Sequence, residues 1–347
     1  PSNVLDELGI SRNERYLTHE LYGGRVYSPN GSMLIVKKTP LGYDDGYVVE
    51  RDCFDRALAA KAIRAGARVL VKTHATDLII ENGKVLGIRG VSFGKKLEIR
   101  AKIIIASECF ESKIGRLAGI DTSLKPDEVS TCFEYTLANV SVEEHMGCVH
   151  FGNFTKGGYL WIFPKGDGVA NVGISMMLSK LTKPGEPKSA LDNFISSHDC
   201  LKKGQPIKAI AGAYSSCAPI ERTVAEGIML VGDAARQVDP LTGAGIANGC
   251  KAGLIAGKVA GKAVRDNDFS YERLNEYDKA WRDLLEERLC QSFVAKKIFS
   301  QISDDLLNRS LEVLKDCDLS GLNPMEILQL IRGKDQTIES EFERLLF

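Results

Sequence analysis

The spacing of apolar positions changes period several times along the chain, and each change predicts an element. Between Gly24 and Lys38 two alternating runs flank Ser28-Pro29-Asn30-Gly31, the signature of a β-hairpin. After Tyr47-Val48-Val49 the period becomes helical: Asp52 is a good N-cap, and Phe54, Leu58, Ala59, Ala62 and Ile63 recur on one face until Gly66 ends the run. A strand at residues 68–71 then completes an α/β step. Residues 78–80, 85–91 and 97–100 predict an antiparallel meander with its first turn at Asn82-Gly83, leading to a fully apolar strand at 103–106 that expects cover on both faces.

From about Asp127 to Arg222 the pattern becomes that of an antiparallel sheet, with strands at 133–140, 150–154, 159–163, 170–176 and 208–214 and a helix at 190–197. An apolar strand at 228–231 returns the chain to the α/β region and opens into a glycine-rich helix. Beyond Asp266 the pattern is helical throughout. One long amphipathic run covers 271–300, a second 304–315, and Asn323-Pro324 caps a third that Gly333 ends, with Thr337 as N-cap of the last.

Composition narrows the class without choosing a function. The 347 residues are 44% apolar and 26% charged with a net charge of −1, an ordinary globular balance with no basic block for nucleic acid. No apolar run approaches the roughly 20 residues of a spanning helix, so any membrane contact is expected to be peripheral. Nine cysteines scattered without close pairs predict a reducing compartment. His145, Cys148 and His150 match no zinc spacing, so no metal site is expected there.

Chemistry concentrates in two passages. In the first, Ile228-Met229-Leu230-Val231 runs into Gly232-Asp233-Ala234-Ala235-Arg236, then Asp239-Pro240-Leu241-Thr242-Gly243-Ala244-Gly245-Ile246. A strand ending in Gly-Asp and a glycine-rich turn opening a helix place one carboxylate beside free helix N–H groups, a pairing suited to the hydroxyls and electron-rich oxygens of a flavin dinucleotide. Gly245, Gly249, Gly253, Gly257 and Gly261 form a stripe on that helix. Interior glycines cost about 1 kcal/mol each relative to alanine, so the stripe predicts an unusually close neighbour. In the second passage, Gly157-Gly158-Tyr159-Leu160-Trp161-Ile162-Phe163-Pro164-Lys165, strand alternation puts Tyr159, Trp161 and Phe163 on one face. That face is either core or the wall of a pocket for a greasy ligand.

These passages, with Glu50-Arg51-Asp52-Cys53-Phe54-Asp55 and Ala170-Asn171-Val172-Gly173, resemble the geranylgeranyl reductase family of flavoproteins, in the same order and over nearly the whole chain, the archaeal lipid-modifying members most of all. The resemblance implies an α/β fold like p-hydroxybenzoate hydroxylase: an FAD domain from residues 1–19, 48–120 and 223–265, an antiparallel substrate domain from 20–47 and 121–222, and a helical domain at 266–347. It implies FAD contacts from Arg51, Ala75, Asp233, Gly243, Gly245 and Ile246, and a lipid cavity walled by Tyr159, Trp161 and Phe163. The activity implied is saturation of isolated C=C bonds in geranylgeranyl chains of archaeal membrane ether phospholipid precursors. The cytoplasmic protein would work peripherally at the inner membrane face, on an isoprenoid lipid, with electrons from a nicotinamide, deazaflavin or ferredoxin.

Two departures qualify that expectation. The family's opening strand, Gly-x-Gly-x-x-Gly turn and Cys-x-Glu-Gly type segment do not occur here, so this stretch alone is expected to bind FAD poorly and to lack a βαβ-sized piece of about 30 residues or more. Where relatives carry Asp-Gly before Phe110 stands Glu108-Cys109, and Cys109 is expected to be a structural thiol. An unconjugated alkene needs a proton donor and a dry cavity, and Tyr159 is the candidate acid among the residues present. Two other readings share the motifs: an aromatic monooxygenase of the hydroxylase class, and a non-catalytic lipid-binding remnant.

Overall fold

Packing divides the chain, in a computed structural model, into two units assembled from separated segments: residues 1–50, 125–213 and 291–347 form the first, and 51–124 and 214–290 the second. The structure describes residues 2–12, 14–36, 46–319, 322–334 and 336–346. In chain order the first unit begins with α1 (Ser2–Glu7), β1 (Leu17–Leu21), β2 (Gly23–Tyr27), β3 (Met33–Val36) and β4 (Gly46–Val49). The second takes α2 (Arg51–Arg64), β5 (Thr73–Glu81), β6 (Lys84–Ser92), β7 (Lys95–Arg100), β8 (Ile104–Ala106) and α3 (Lys113–Leu117). The first resumes with β9 (Val129–Ala138), β10 (Met146–His150), β11 (Leu160–Gly166), β12 (Val169–Met177), α4 (Glu186–Ser197) and β13 (Gln205–Ser215). After β14 (Val224–Ala225), β15 (Ile228–Leu230) and α5 (Ile246–Asp266) of the second unit, α6 (Tyr271–Phe299) leads into α7 (Asp304–Leu314), α8 (Pro324–Arg332) and α9 (Gln336–Leu346).

The first unit is built on a seven-stranded sheet in the order β13-β9-β12-β11-β10-β2-β3. Strand alternation sends Leu160 and Ile162 of β11 and Ala170, Val172, Ile174 and Met176 of β12 to one face, where Leu191 of α4 and Leu201 complete a closed core. The opposite face is left to the alternate residues, among them Trp161 and Phe163. The predicted hairpin is β2 and β3, with Gly31 at φ +85°, while Lys37 and Lys38 lie outside the described residues.

In the second unit, β5, β6 and β7 form the predicted meander, and Asn82 (φ +51°) with Gly83 (φ +78°) makes the tight turn that the Asn-Gly pair favours. Strand β15 pairs parallel to β8, and all three of its residues are fully buried, as continuous hydrophobicity requires. Its core continues through Ala252, Ala256, Val259 and Ala263 of α5 to Leu274, Tyr277, Trp281, Leu285 and Leu289 of α6.

Several boundaries differ from expectation. Residues 68–71 form no strand, and Val69, Leu70 and Val71 are exposed: apolar character makes a strand only where a ladder partner exists, and none lies beside them among the described residues. The strand expected at 150–154 is β10, ending at His150. Glycine at 147 hid its start, and Gly152 at φ +149° precedes a 3-10 turn at Asn153–Thr155. Asp52 lies inside the first turn of α2 rather than capping it, and α9 begins one residue before Thr337. The helical tail is not a separate domain by packing. The first five turns of α6 belong to the second unit through Tyr277 and Trp281, and residues 1–19 group with the antiparallel sheet.

One buried ion pair ties α6 to the approach to β14. Asp278 accepts from the Thr223 backbone N–H (2.9 Å) and hydroxyl (2.6 Å) and from Arg282 (2.6 Å), while Trp281 Nε1 donates to the same threonine hydroxyl at 2.9 Å. Burial alone would raise the Asp278 carboxyl, but the donors from Arg282 and Thr223 outweigh it and hold the group below its ordinary value. The stability this contributes is complete above the unfolded value of about 3.9 and is lost as pH falls through the lower folded value. Asp278→Ala is expected to cost about 2 kcal/mol in urea denaturation at pH 7, because it leaves the buried Thr223 N–H without its acceptor and takes from Arg282 one of its two carboxylate partners, with a smaller deficit near pH 3.

Candidate functional site

The Gly-Asp turn of the second unit is held from beneath by a buried relay. Gly232 (φ +68°) begins a 3-10 turn, Gly232–Ala235, that closes at Arg236 (φ +54°). The Gly232 N–H donates to Gln237 Oε1 at 2.7 Å, Gln237 Nε2 donates to the Tyr277 hydroxyl at 2.9 Å, and that hydroxyl donates to the Leu230 carbonyl at 2.7 Å. Gln237 and Tyr277 are fully buried, and Asn248 of α5 donates to the Gln237 carbonyl at 2.8 Å. Every polar group in this chain has a partner, so the turn is rigid in its interior.

Above that support stands Asp233. A Cβ built on Gly245, the residue before α5, would lie 3.3 Å from Asp233 Oδ1 and 3.3 Å from Val238, so the carboxylate rests against the start of the helix where only glycine leaves room. No side chain caps α5. Burial raises the Asp233 carboxyl and the Arg51 guanidinium pulls it back, and among the described residues it accepts no hydrogen bond. The Asp239 carboxylate shapes the preceding loop, accepting from the N–H groups of Leu241 (3.1 Å) and Thr242 (2.9 Å). Gly243 (φ +69°) lies under the Tyr214 ring. A desolvated acceptor, a cradle kept open by glycine and uncapped helix N–H groups fit ribityl hydroxyls and the electron-rich edge of a flavin.

Of the other residues singled out for the cofactor, Arg51 opens α2 and pairs with Asp55 at 3.2 Å, and Ile246 is exposed at the start of α5. Ala75 lies on β5, packed against the cluster that holds Leu78, Val85, Ile228 and Leu230 together with Ala235 of the Gly-Asp turn. The glycine stripe does not meet one continuous neighbour. A Cβ built on Gly249 would lie 3.8 Å from the Gly232 Cα, and one on Gly253 or Gly257 meets nothing within 4 Å among the described residues, because the buried face of α5 is its alanine side. Glu108 caps α3, accepting from the Ile114 N–H at 2.5 Å, and Cys109 is exposed rather than a packed structural thiol.

In the first unit the aromatic residues are not the core. Leu160, Ile162 and Pro164 are buried on the inner face of the sheet, while Tyr159, Trp161 and Phe163 stay half-buried on the outer one. Tyr159 and Trp161 lie 5.6 Å apart between ring centroids. Trp161 pairs with Gly173 across β11 and β12, and Gly173 with Glu134 across β12 and β9. A Cβ on Gly173 would fall 2.2 Å from Trp161 Cζ2, so the indole lies over that glycine, and its Nε1 donates to Glu134 Oε2 at 2.8 Å. Burial raises the Glu134 carboxyl, opposed by that N–H and by Lys165 and Lys208. Phe163 covers Gly147 of β10 in the same manner. A mid-strand glycine signals such close approach, whereas nothing local marked Glu134, Gln237 or Tyr277.

The three residues weighed as metal ligands separate. His145 stacks on His19 and Tyr22, while His150 stacks on Tyr27 and is pushed down to about 4 by burial and by His198. Burial pushes the Cys148 thiol up to about 11. His19, Glu144 and His145 bring potential ligand atoms within 4.8 Å of one another, but His19 Nε2 already accepts from the His145 N–H at 3.3 Å. A cavity of about 250 Å³ is lined by Phe151, Gly158, Phe299 and Leu307 on its apolar side and by Lys156 and Lys180 on its polar one. Tyr159 adjoins it through Phe151, at 6.1 Å between ring centroids. A larger one, about 480 Å³ beside Ile103 and Gly261, includes none of the predicted site residues.

Residues 128–214 match the family model described as the geranylgeranyl reductase catalytic domain. The chain is 39% identical over 93% of its length to the digeranylgeranylglycerophospholipid reductase of Methanothrix thermoacetophila, covering 82% of that protein. It superposes with a TM-score of 0.91 and 36% identity on a geranylgeranyl bacteriochlorophyll reductase-like protein from Thermoplasma acidophilum, over 99% of this chain and 87% of the other. A flavin-dependent brominase, 17% identical with a TM-score of 0.68 over 99% of this chain and 86% of its own, shares the fold alone.

The raised Asp233 carboxyl carries a sign that can be tested. Its ionised form is disfavoured in the folded chain, so that part of the stability is present below about pH 3.9 and is lost as pH rises through the folded value. Asp233→Asn is expected to melt above the parent at pH 7 without flavin, yet to hold flavin about tenfold more weakly, the size of one lost charged hydrogen bond. Gly257→Ala, with open space around it, is expected to stabilise by about 1 kcal/mol in thermal melts. Gly245→Ala, crowding Asp233, is expected to lower flavin retention in the same preparations.

Proposed function

Because this chain belongs to the geranylgeranyl reductase family, as relatives with 39% identity over most of its length establish, we propose that it is an FAD-dependent reductase. It saturates isolated C=C bonds of geranylgeranyl chains in archaeal-type ether phospholipid precursors. The observation that carries this reading is the half-buried aromatic face of β11, which turns Trp161 and Phe163 away from the core, with Tyr159 beside Trp161 just before the strand. An alkene bearing no polar group is recognised by such a surface through burial and ring contact alone.

Asp233, Gly243, Gly245 and Ile246, with Arg51 and Ala75, hold the cofactor; Tyr159, Trp161 and Phe163 bind the prenyl chain. When bound, the flavin supplies the hydride equivalent to the alkene. The chain's own part is to exclude water and deliver a proton. The phenol of Tyr159, beside Trp161, is the candidate donor. A nicotinamide, deazaflavin or ferredoxin supplies the electrons. The protein works on the cytoplasmic side at the membrane surface, and among the described residues no helix is long and apolar enough to cross a membrane.

The hydroxylase reading shares the fold but calls for a small polar aromatic substrate, whereas the relatives that match over most of this chain are named as reductases of a prenyl lipid. To test the choice, protein from the full reading frame is reduced with dithionite and incubated anaerobically with a geranylgeranyl ether lipid. Mass gains of two hydrogens per double bond are expected. Flavin-loaded protein that leaves the lipid unchanged, or that consumes oxygen in step with turnover of an aromatic substrate, would overturn the proposal. Absence of bound flavin would instead favour the lipid-binding remnant.

A further inference from the structure

Three adjacent strands contribute one residue each to a single rung: Glu134 on β9, Gly173 on β12 and Trp161 on β11, in register. The two outer residues meet across the middle one because it has no side chain. The indole of Trp161 occupies the space that a Cβ on Gly173 would take, and its Nε1–H ends on Glu134 Oε2 at 2.8 Å. A tryptophan on an open sheet face has alternative rotamers, and here the ring is fixed at both ends, by backbone contact over Gly173 and by a hydrogen bond to a carboxylate. The Glu134 side chain is itself confined, its Cβ lying 3.0 Å from where a Gly173 Cβ would be.

We propose that Glu134 is a positioning residue for the prenyl chain: through Trp161 Nε1 it holds the indole over Gly173 and so sets the shape of the apolar surface on which the chain lies. This rests on the reading of the aromatic face as the lipid site. Removing the carboxyl frees the ring to swing over the surface it should line, which weakens chain binding without touching the cofactor residues of the second unit. Glutamine retains a side-chain oxygen at the same reach and can still accept from the indole N–H.

The chain holds two tryptophans, so a Trp281→Phe background makes Trp161 the sole indole reporter. In flavin-loaded protein from the full reading frame, Glu134→Ala is expected to raise KM for a geranylgeranyl ether lipid about tenfold with kcat within about twofold, and to lower the Trp161 emission anisotropy. Glu134→Gln should restore both to within about twofold of the parent. Gly173→Ala, which leaves Glu134 in place but takes the space of the ring, should reproduce the alanine phenotype. Flavin content and melting temperature, measured on each variant, separate these effects from misfolding.

A parent protein that turns over lipid while Glu134→Ala keeps its KM and its Trp161 anisotropy would overturn this proposal alone. So would equal losses of kcat in Glu134→Ala and Glu134→Gln with the indole signal unmoved, which would assign the carboxyl to proton chemistry instead. A flavin-loaded parent that neither reduces the lipid nor changes its Trp161 emission on lipid addition would overturn both the functional reading and the role of Glu134.

Discussion

The second unit depends on one side-chain amide. Gln237 both accepts and donates through separate atoms, taking the Gly232 N–H at Oε1 and giving an N–H to the Tyr277 hydroxyl from Nε2. It therefore couples the turn after β15 to the second turn of α6, and Asn248 adds the start of α5 through the Gln237 carbonyl. Buried polar atoms left without partners cost about 1–3 kcal/mol each, so the amide cannot rotate without breaking two bonds at once. The Asp233 carboxylate inherits this rigidity, one residue from the clamped N–H. The same tyrosine sits in the apolar cluster with Ala252, Ala256 and Trp281, so the site's precision and the unit's core are one structure.

The first unit reaches a comparable end by different means. Its sheet has already saturated one face with aliphatic packing against α4, which leaves half-buried aromatic side chains on the other. Large aromatic side chains on that face are ordered by the absence of side chains beneath them: Trp161 over Gly173, Phe163 over Gly147. Carboxylate and glycine replace the close packing that a core would provide. Under the proposed function, an apolar surface held in this way would offer a hydrocarbon chain a preformed bed, which lowers the ordering cost of binding.

Local signals were legible wherever the cause was local. The Asn82-Gly83 turn, the Asn323-Pro324 start of α8 and the apolar run of β15 each follow from residues within a few positions of one another, and all stand in the structure. The Gly-Asp turn and the aromatic alternation were equally readable, since φ preference and a period of two are properties of the chain itself. The stripe of glycines on α5 was readable as a pattern but not as a contact. Spacing says which residues share a face, and the structure leaves open space around Gly253 and Gly257 in the middle of it among the described residues.

Tertiary structure alone decided the remainder. Gln237 and Tyr277 are 40 positions apart, and Trp161 and Glu134 are 27 apart, so no window of sequence contains either pair. Residues 68–71 have strand composition without a partner, and α6 reads as one amphipathic helix although its two ends join different units. The chain by itself determined its family, its turns and the faces of its strands, because these depend on backbone preference and periodicity. Which carboxylate meets which indole, and which helix supports which turn, waited on the register of strands and the packing of helices, where the energy lies in contacts between residues far apart along the chain.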